Sequence, residues 1–170
     1  MSQTAHAGIA AVSPARVQVR RIRDDDDFAA VVELRRRVFG DEQGIADSDC
    51  SDVDDARSIL ALALLGDLPV GTGRLTLNAG HEGEAQITWV ATLPAYRGRG
   101  VGSAVMRFLL AAADVAGAPF VVLSAQTHAL AFYRRLGFVP YGNRFLAVGI
   151  EHQMMARPRS IPIAWRSRSQ

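Results

Sequence analysis

The stretch from Ile87 to Gly102, ITWVATLPAYRGRGVG, constrains most strongly what this chain can fold into. An apolar, strand-like run ends at Pro94, and a loop rich in glycine and arginine follows. From Val101 onward, apolar residues recur at the spacing of one face of a helix. The stretch therefore predicts a strand, a glycine-rich loop and a helix N-terminus in direct succession.

The glycines and arginines of this loop predict an anion-binding site. Gly98, Gly100 and Gly102 carry no side chains, so backbone N–H groups there can close on an anion. The dipole of the following helix favours negative charge at the same point. Arg97 and Arg99 add forked guanidinium donors. We expect this loop to bind a pyrophosphate group.

Two common phosphate-binding motifs do not fit the loop. The chain contains no lysine, which excludes the loop that ends in Gly-Lys-Ser/Thr. The dinucleotide pattern G-x-G-x-x-G would need a glycine where Ser103 or Val105 stands. The pattern that fits is Arg-x-x-Gly-x-Gly, and the alternative is a helix entry with an ordinary glycine turn.

Composition indicates an ordinary globular chain. Its 170 residues favour one domain, 49% of them are hydrophobic and 21% are charged, and the net charge of +2 requires no nucleic-acid or membrane partner. Cys50 stands alone, so no internal disulfide can form, which suits a reducing cytoplasm. No apolar run approaches a membrane span, and no signal peptide is evident.

Hydrophobic periodicity and turn residues predict alternating strands and helices. Residues 1–14 are expected to form a disordered leader, 15–157 the folded domain and 158–170 a basic tail. Asp24 to Asp27 fit the N-cap and first turn of a helix. The expected strands are Val17–Ile22, Ser58–Leu65, Val70–Leu77, Ala85–Leu93, Phe120–Ala125, Phe138–Tyr141 and Phe145–Met155, and the later helices are Val101–Ala116 and Thr127–Leu136. Gly142-Asn143 is expected to separate the last two strands.

The acidic region from Gly40 to Asp55 leaves two interpretations open. Its aspartates lack the spacing of a calcium-binding loop, and no metal site is predicted anywhere in the chain. One interpretation is a solvated loop. The other is an acidic lip that attracts a cationic amine.

Three further segments carry a resemblance to a known family. AQTHALAFYRRLGF from Ala125, GIEHQMM from Gly149 and VFGDEQGI from Val38 accompany the Arg97-x-x-Gly100-x-Gly102 pattern. Together they resemble the GNAT superfamily of N-acetyltransferases, and most of all its ElaA-like branch. The resemblance implies one α/β domain with a mixed β-sheet, splayed at its centre, and flanking helices. It also implies that acetyl-CoA or another short acyl-CoA is the co-substrate.

The resemblance implies a role for particular positions of this chain. Val90, Ala91 and Thr92 would pair through their backbones with the pantetheine arm of the cofactor. Tyr133 matches the position of a tyrosine that protonates the departing thiolate. The expected pyrophosphate ligands are Arg97, Gly98, Arg99, Gly100, Val101, Gly102 and Ser103, with Gln126, Phe132 and Arg135 as weaker cofactor-side candidates.

The base that deprotonates the amine is less determined. Glu42 matches the branch's VF-x-x-EQ segment, and His152 has an intrinsic pKa suited to a base near neutrality. Each also fits a purely structural role, and His128 and Glu84 are weaker candidates with surface explanations. Trp89, Ala147 and Glu151 depart from residues common in the branch.

The sequence thus predicts acyl transfer from CoA to a small-molecule amine by direct attack, without a covalent enzyme intermediate. The alternatives are a CoA-binding sensor or interaction module that has lost catalysis, and an enzyme that modifies protein amines. Either a monomer or a homodimer fits the sequence.

Overall fold

A computed structural model describes residues 16–80 and 82–159 of the chain. The predicted leader 1–14 and almost all of the tail 158–170 lie outside these residues, and the last strand ends at Pro158. No helix among the described residues is long and apolar enough to cross a membrane.

Seven strands form a single mixed sheet in the order β1-β2-β3-β4-β5-β7-β6. The strands are β1 Val17–Arg21, β2 Ile59–Leu65, β3 Leu68–Leu77, β4 Glu84–Thr92, β5 Phe120–Gln126, β6 Val139–Ala147 and β7 Ile150–Pro158. The helices are α1 Asp25–Arg35, α2 Val101–Val115 and α3 Leu130–Arg135. A π-helical extension, Arg36–Asp41, continues α1, and short 3-10 turns span Asp47–Asp49, Val53–Arg57, Pro94–Tyr96 and Thr127–Ala129.

The two longer helices cover opposite faces of the sheet. Val31 and Leu34 of α1 pack against Leu62 of β2, whereas the alternating residues Ala61 and Ala63 of β2 belong to the larger cluster beneath α2. Because successive strand residues point to opposite faces, one strand serves both layers. The Asp24 side chain accepts a hydrogen bond from the Asp27 N–H, so the predicted N-cap is confirmed.

Glycines in β3 allow α2 to lie close to the sheet. A Cβ atom on Gly71 would come within 2.6 Å of Val101, and one on Gly73 within 2.8 Å of Val105 and 2.9 Å of Leu109. These distances are shorter than real side-chain contacts, so only glycine fits. The helix N-terminus is therefore held directly over the end of the central strands.

The sheet splits between β4 and β5, as the sequence predicted. The parallel pairing covers only Glu84 to Gln86 against Phe120 to Val122, whereas the other edge of β5 pairs with β7 along its whole length. A register shift in the β3–β4 pairing marks a bulge, since Thr72 lies opposite Ala91 but Arg74 lies opposite Thr88. The far half of β4 is thus left unpaired on its β5 side.

The predicted turn between the last two strands is wrong. Gly142 lies inside β6, where its positive φ of 67° interrupts the register between Tyr141 and Phe145. The chain reverses instead at Val148-Gly149, with φ values of 50° and 73°. Positive φ at both turn residues is typical of a tight two-residue hairpin, although a β-branched residue rarely adopts it.

We expect Val148→Asn to stabilise the fold. Asparagine tolerates the left-handed conformation that strains valine, so the free energy of unfolding should rise by about 1 kcal/mol. Denaturant titration measures this change. The matched control is Val139→Asn at the start of β6, because Val139 is also exposed and has no positive φ. A Val148→Asn chain no more stable than wild type would contradict the strained-turn interpretation.

Candidate active site

The splay between β4 and β5 opens a cavity of about 570 Å³. Its lining includes seven of the residues that the sequence predicted for the site: Glu42, Val90, Thr92, Arg97, Gln126, Tyr133 and His152. These residues come from the segment after α1, from β4 and the loop beyond it, and from β5, α3 and β7. The fold therefore brings distant parts of the sequence together around the unpaired end of β4.

The glycine-rich loop presents free backbone groups, and its Arg97 lines the cavity, whereas Arg99, Gly100 and Val101 line a separate groove. Gly100 is the N-cap of α2, with a φ of 82°, and no side chain caps the helix. Cβ atoms built on Gly98 and Gly100 would meet nothing within 4 Å, so the space in front of the loop is open. Gly102 lies 3.5 Å, measured from a built Cβ, from the Phe132 ring. An uncapped helix terminus with open space in front of it fits a pyrophosphate group.

Arg97 and Glu42, predicted as phosphate ligand and base, are bonded to each other. One terminal nitrogen of Arg97 donates to both carboxylate oxygens of Glu42, at 2.8 and 2.9 Å. The Nε of Arg97 donates to the Thr92 carbonyl at 3.1 Å. The ion pair thus joins the phosphate-binding loop to the segment that follows α1.

The other predicted loop arginine faces a second groove. Arg99 lies 5.5 Å from the centre of the Tyr96 ring and lines a groove together with Arg16 and Arg107. This groove borders β1 and the outer side of α2. Arg97 and Arg99 therefore serve different sides of the loop.

Tyr133 is the most deeply buried of the predicted catalytic residues. Its side chain packs edge-to-face against Phe132, with ring centres 4.9 Å apart, and against Phe138 at 6.0 Å. Burial raises the pKa of the Tyr133 hydroxyl to about 12. The hydroxyl is therefore protonated at physiological pH, so it can donate a hydrogen bond or act as an acid but is not available as a phenolate base.

His152 lies on β7, directly opposite Gln126 of β5. Its Nδ1 is 2.8 Å from the Ile150 carbonyl, and because a carbonyl can only accept, Nδ1 must carry the proton. The neutral ring then has its lone pair on Nε2. The ring also stacks on Phe145 at 5.8 Å, which fixes its plane. This tautomer leaves one basic nitrogen available to a ligand.

The remaining predicted residues lie in varied positions. Gln126 donates to Gln43 at 2.8 Å and His128 lines the cavity, whereas Ala91 is buried in the core. Arg135 is exposed on α3 and is absent from the cavity lining, and Glu84 lies at the opposite end of β4 from the cavity. The structure thus gives no support to Arg135 or Glu84 at this site.

The acidic region is neither a solvated loop nor an acidic lip where Asp52 and Asp55 lie. Asp55 is buried and accepts two hydrogen bonds from Arg35, at 2.8 and 2.9 Å, and one from Arg74 at 3.0 Å. Asp52 accepts from Arg74 as well. The arginines are distant in the sequence, so the acidic run itself gave no indication that they neutralise it.

These arginines also keep both carboxylates ionised. Burial alone would raise the pKa values of Asp52 and Asp55, but hydrogen bonds from Arg74 and Arg35 outweigh it and lower both pKa values. Phe39 and Val148 also line the cavity, although no sequence motif predicted a role for them, and Trp89 lines it although it departs from the residue common in the branch. In the described part of the chain, no group of His, Cys, Asp or Glu side chains is placed to hold a metal ion.

Comparisons with known proteins agree with this architecture. Residues 19–138 match the acetyltransferase (GNAT) family model. The uncharacterized N-acetyltransferase YjcF of Bacillus subtilis is 29% identical over 136 residues, which cover 79% of this chain and 95% of YjcF. The crystal structure of Escherichia coli ElaA has a TM-score of 0.75 at 26% identity, covering 84% of this chain and 99% of ElaA.

The chain is also similar to an acyl-CoA N-acyltransferase from Pseudomonas aeruginosa. Its crystal structure has a TM-score of 0.69 at 28% identity and covers 84% of this chain and 98% of that protein. The chain belongs to the GNAT family of acetyltransferases, and it is an acyltransferase. The family resemblance and the splayed, mixed sheet predicted from the sequence are both confirmed.

We expect Asp55→Asn to destabilise the protein strongly at neutral pH. The change leaves two buried guanidinium groups with one carboxylate fewer, which should lower the free energy of unfolding by about 3–5 kcal/mol. Because the folded-state pKa of Asp55 is lowered, its contribution is present above about pH 5 and is lost as the pH falls further. The difference in the free energy of unfolding between wild type and Asp55→Asn should therefore become smaller as the pH is lowered.

Denaturant titrations at several pH values test this expectation. The matched control is Asp54→Asn, whose carboxylate is 40% exposed and paired with Arg57. That change should alter stability by less than about 1 kcal/mol. Equal effects of the two substitutions would show that the buried ion pairs do not support the fold.

Proposed function

We propose that this protein transfers an acetyl or other short acyl group from an acyl-CoA to a primary amine of a small molecule. The observation that carries the proposal is the cavity lined by the unpaired end of β4 and by the buried, protonated Tyr133, with the uncapped N-terminus of α2 close by. The name of the Pseudomonas aeruginosa relative, an acyl-CoA N-acyltransferase, supports the choice of cofactor.

The residues present fit an acyl-CoA, which would supply an activated thioester. The backbone of Val90, Ala91 and Thr92 would hold the pantetheine arm, because β4 has no strand partner along this side. The loop amides from Gly98 to Ser103 would hold the pyrophosphate. Binding of this kind positions the acyl group beside the acceptor, which is a large part of the rate enhancement in such reactions.

The acceptor amine must lose a proton before it can attack, since an alkyl ammonium has a pKa of about 10.4. His152 is the favoured proton acceptor, because it lines the cavity and its Nδ1 is engaged by the Ile150 carbonyl, which leaves Nε2 as the ring nitrogen able to take a proton. Glu42 is engaged by Arg97 and would serve better to orient the amine or a water molecule. The choice of His152 depends on the geometry of the ring and not on its intrinsic pKa alone.

Tyr133 would assist the departing sulfur. Its pKa of about 12 lies above the value of about 8.5 for a free thiol, so complete transfer of its proton to a thiolate is unfavourable. A hydrogen bond from the hydroxyl to sulfur, strengthening as negative charge develops there, avoids this cost. Direct attack by the amine is favoured because the buried Cys50 is absent from the cavity lining.

We expect Tyr133→Phe to lower kcat by about 100-fold or more while the KM for acetyl-CoA changes little. Loss of the hydroxyl removes a donor needed mainly as charge develops on sulfur. The measurement is thiol release from acetyl-CoA across a library of amines. Tyr141→Phe, which alters an exposed ring on β6, is the matched control.

Two outcomes of this experiment would contradict the proposal in different ways. An unchanged rate in Tyr133→Phe would remove Tyr133 from the reaction. If calorimetry detects coenzyme A binding but no amine elicits thiol release by the wild type, the sensor alternative is correct. Thiol release with peptides alone would instead identify a protein acceptor.

We also expect Glu42→Gln to bind coenzyme A more tightly than wild type. Arg97 would no longer be held by a carboxylate, so its guanidinium would be free for phosphate, and affinity should rise about two- to fivefold. Calorimetric titration with coenzyme A measures the change, and Arg97→Gln should show a loss instead. Unchanged affinity in Glu42→Gln would mean that the ion pair does not compete with the cofactor.

A further inference from the structure

Trp89 adopts a conformation that tryptophan rarely takes. Its φ is 55°, in the left-handed region, although it lies within β4 at the bulge opposite Gly73. Its side chain lines the cavity. Backbone strain of this kind persists only where the surroundings impose it, and it is found most often at functional sites. The contacts around the indole show what imposes it here.

Three different segments hold the indole ring. Phe39 of the π-helical extension packs edge-to-face on it, with ring centres 5.1 Å apart. The guanidinium of Arg35 lies 5.0 Å from the centre of the ring. The indole Nε1–H donates to Asp52 at 3.3 Å. The polar edge of the ring is thus bonded away from the cavity.

The groups behind Trp89 form a charge cluster of Arg35, Asp52, Asp55 and Arg74, in which Asp52 is exposed at the edge and the other three are buried. Its two guanidinium groups balance its two carboxylates. Arg35 is fully buried, and its Nε has no hydrogen-bond acceptor among the described residues. The π face of Trp89 is the neighbour that attracts this remaining positive charge.

Burying charged groups in a protein interior carries a large desolvation penalty. Replacing buried ion pairs by apolar residues is often neutral or stabilising, so their presence is weak evidence of a role in stability alone. Here the cluster ties α1, the turn Val53–Arg57 and β3 to a single ring that borders the cavity. A positioning role for the cluster accounts for this arrangement.

The chemistry of the cavity wall indicates which amine would fit. Aromatic and aliphatic side chains from separate segments line it, namely Phe39, Ile45, Trp89, Val148 and Ile150. Among the residues that the structure describes, Glu42 is the one carboxylate in the lining, and Arg97 already neutralises it. A polycationic acceptor would find no free carboxylate there, whereas a flat apolar group would find matching surfaces.

We propose that Trp89 determines acceptor specificity, that the charge cluster positions its indole, and that the preferred acceptors are primary monoamines carrying a flat apolar group. This inference rests on the proposed function and adds the substrate class to it. Trp89 acts by contact with the acceptor. Arg35, Asp52, Asp55 and Arg74 act through the ring and touch no reacting atom.

The test compares 2-phenylethylamine, ethanolamine and spermidine as acceptors in the thiol-release assay with acetyl-CoA. The wild type should give the highest kcat/KM with 2-phenylethylamine. Trp89→Ala should lower that value roughly tenfold or more, through KM, and should change the value for ethanolamine much less. Trp89→Phe preserves a flat ring that still packs against its neighbours, and should show a smaller loss in the same direction.

The cluster is tested through the ratio of kcat/KM for 2-phenylethylamine to that for ethanolamine. Both values scale with the concentration of folded enzyme, so simple destabilisation leaves the ratio unchanged. Asp52→Ala should lower the ratio, and Asp52→Asn, which keeps an oxygen acceptor for the indole N–H, should restore part of it. An unchanged ratio in Asp52→Ala would overturn the positioning role.

A binding measurement separates this inference from the proposed function. Trp165→Phe leaves Trp89 as the sole tryptophan, and 2-phenylethylamine should quench its fluorescence in a saturable way. Saturable quenching without turnover of any amine would support the inference and overturn the proposed function. Turnover of amines without such quenching, or a wild-type preference for spermidine, would overturn the inference.

Discussion

The loss of pairing between β4 and β5 is the constraint on which the rest of this molecule depends. Two parallel strands that share hydrogen bonds at one end part at the other, while β5 stays paired with β7 along its opposite edge. The bulge at Trp89 and the close approach of α2 over Gly71 and Gly73 accompany this parting. A cavity lined by free backbone results, and the uncapped helix terminus lies beside it. The pairing of the strands therefore determines where the cavity lies, and the side chains then determine its lining.

Much of the fold follows from local patterns in the sequence. The apolar periodicity of α2, the continuous run of β2 and the acidic N-cap of α1 each reflect interactions between residues a few positions apart, and each is confirmed. Periodicity does not predict how the strands are arranged in the sheet. That arrangement was predicted from the resemblance of the motifs to a known family. The last hairpin was misplaced because Gly142 is a strong local turn signal, whereas Val148 carries none and adopts its turn conformation under the influence of its surroundings.

The site was predictable where the motif lies along one segment and unpredictable where partners come from distant ones. Tyr133, His152 and the loop from Arg97 to Ser103 were predicted because short motifs include them, and Arg97, Tyr133 and His152 line the cavity. The pairing of Glu42 with Arg97, and of Asp55 with Arg35 and Arg74, joins residues far apart in the chain. No local pattern identifies such a partner. For this reason the acidic region from Gly40 to Asp55 could be interpreted as a solvated loop, although its Asp55 is buried at the centre of an electrostatic cluster.

The ion pair between Arg97 and Glu42 has a kinetic consequence. One guanidinium cannot fully satisfy a carboxylate and a diphosphate at once, so occupancy of the loop by phosphate weakens the restraint on the segment after α1. That segment carries Phe39 and Gln43 along the cavity wall. The two substrates would then not enter independently. Under the proposed function, this shared arginine favours an order of addition in which the thioester binds first and the nucleophile second.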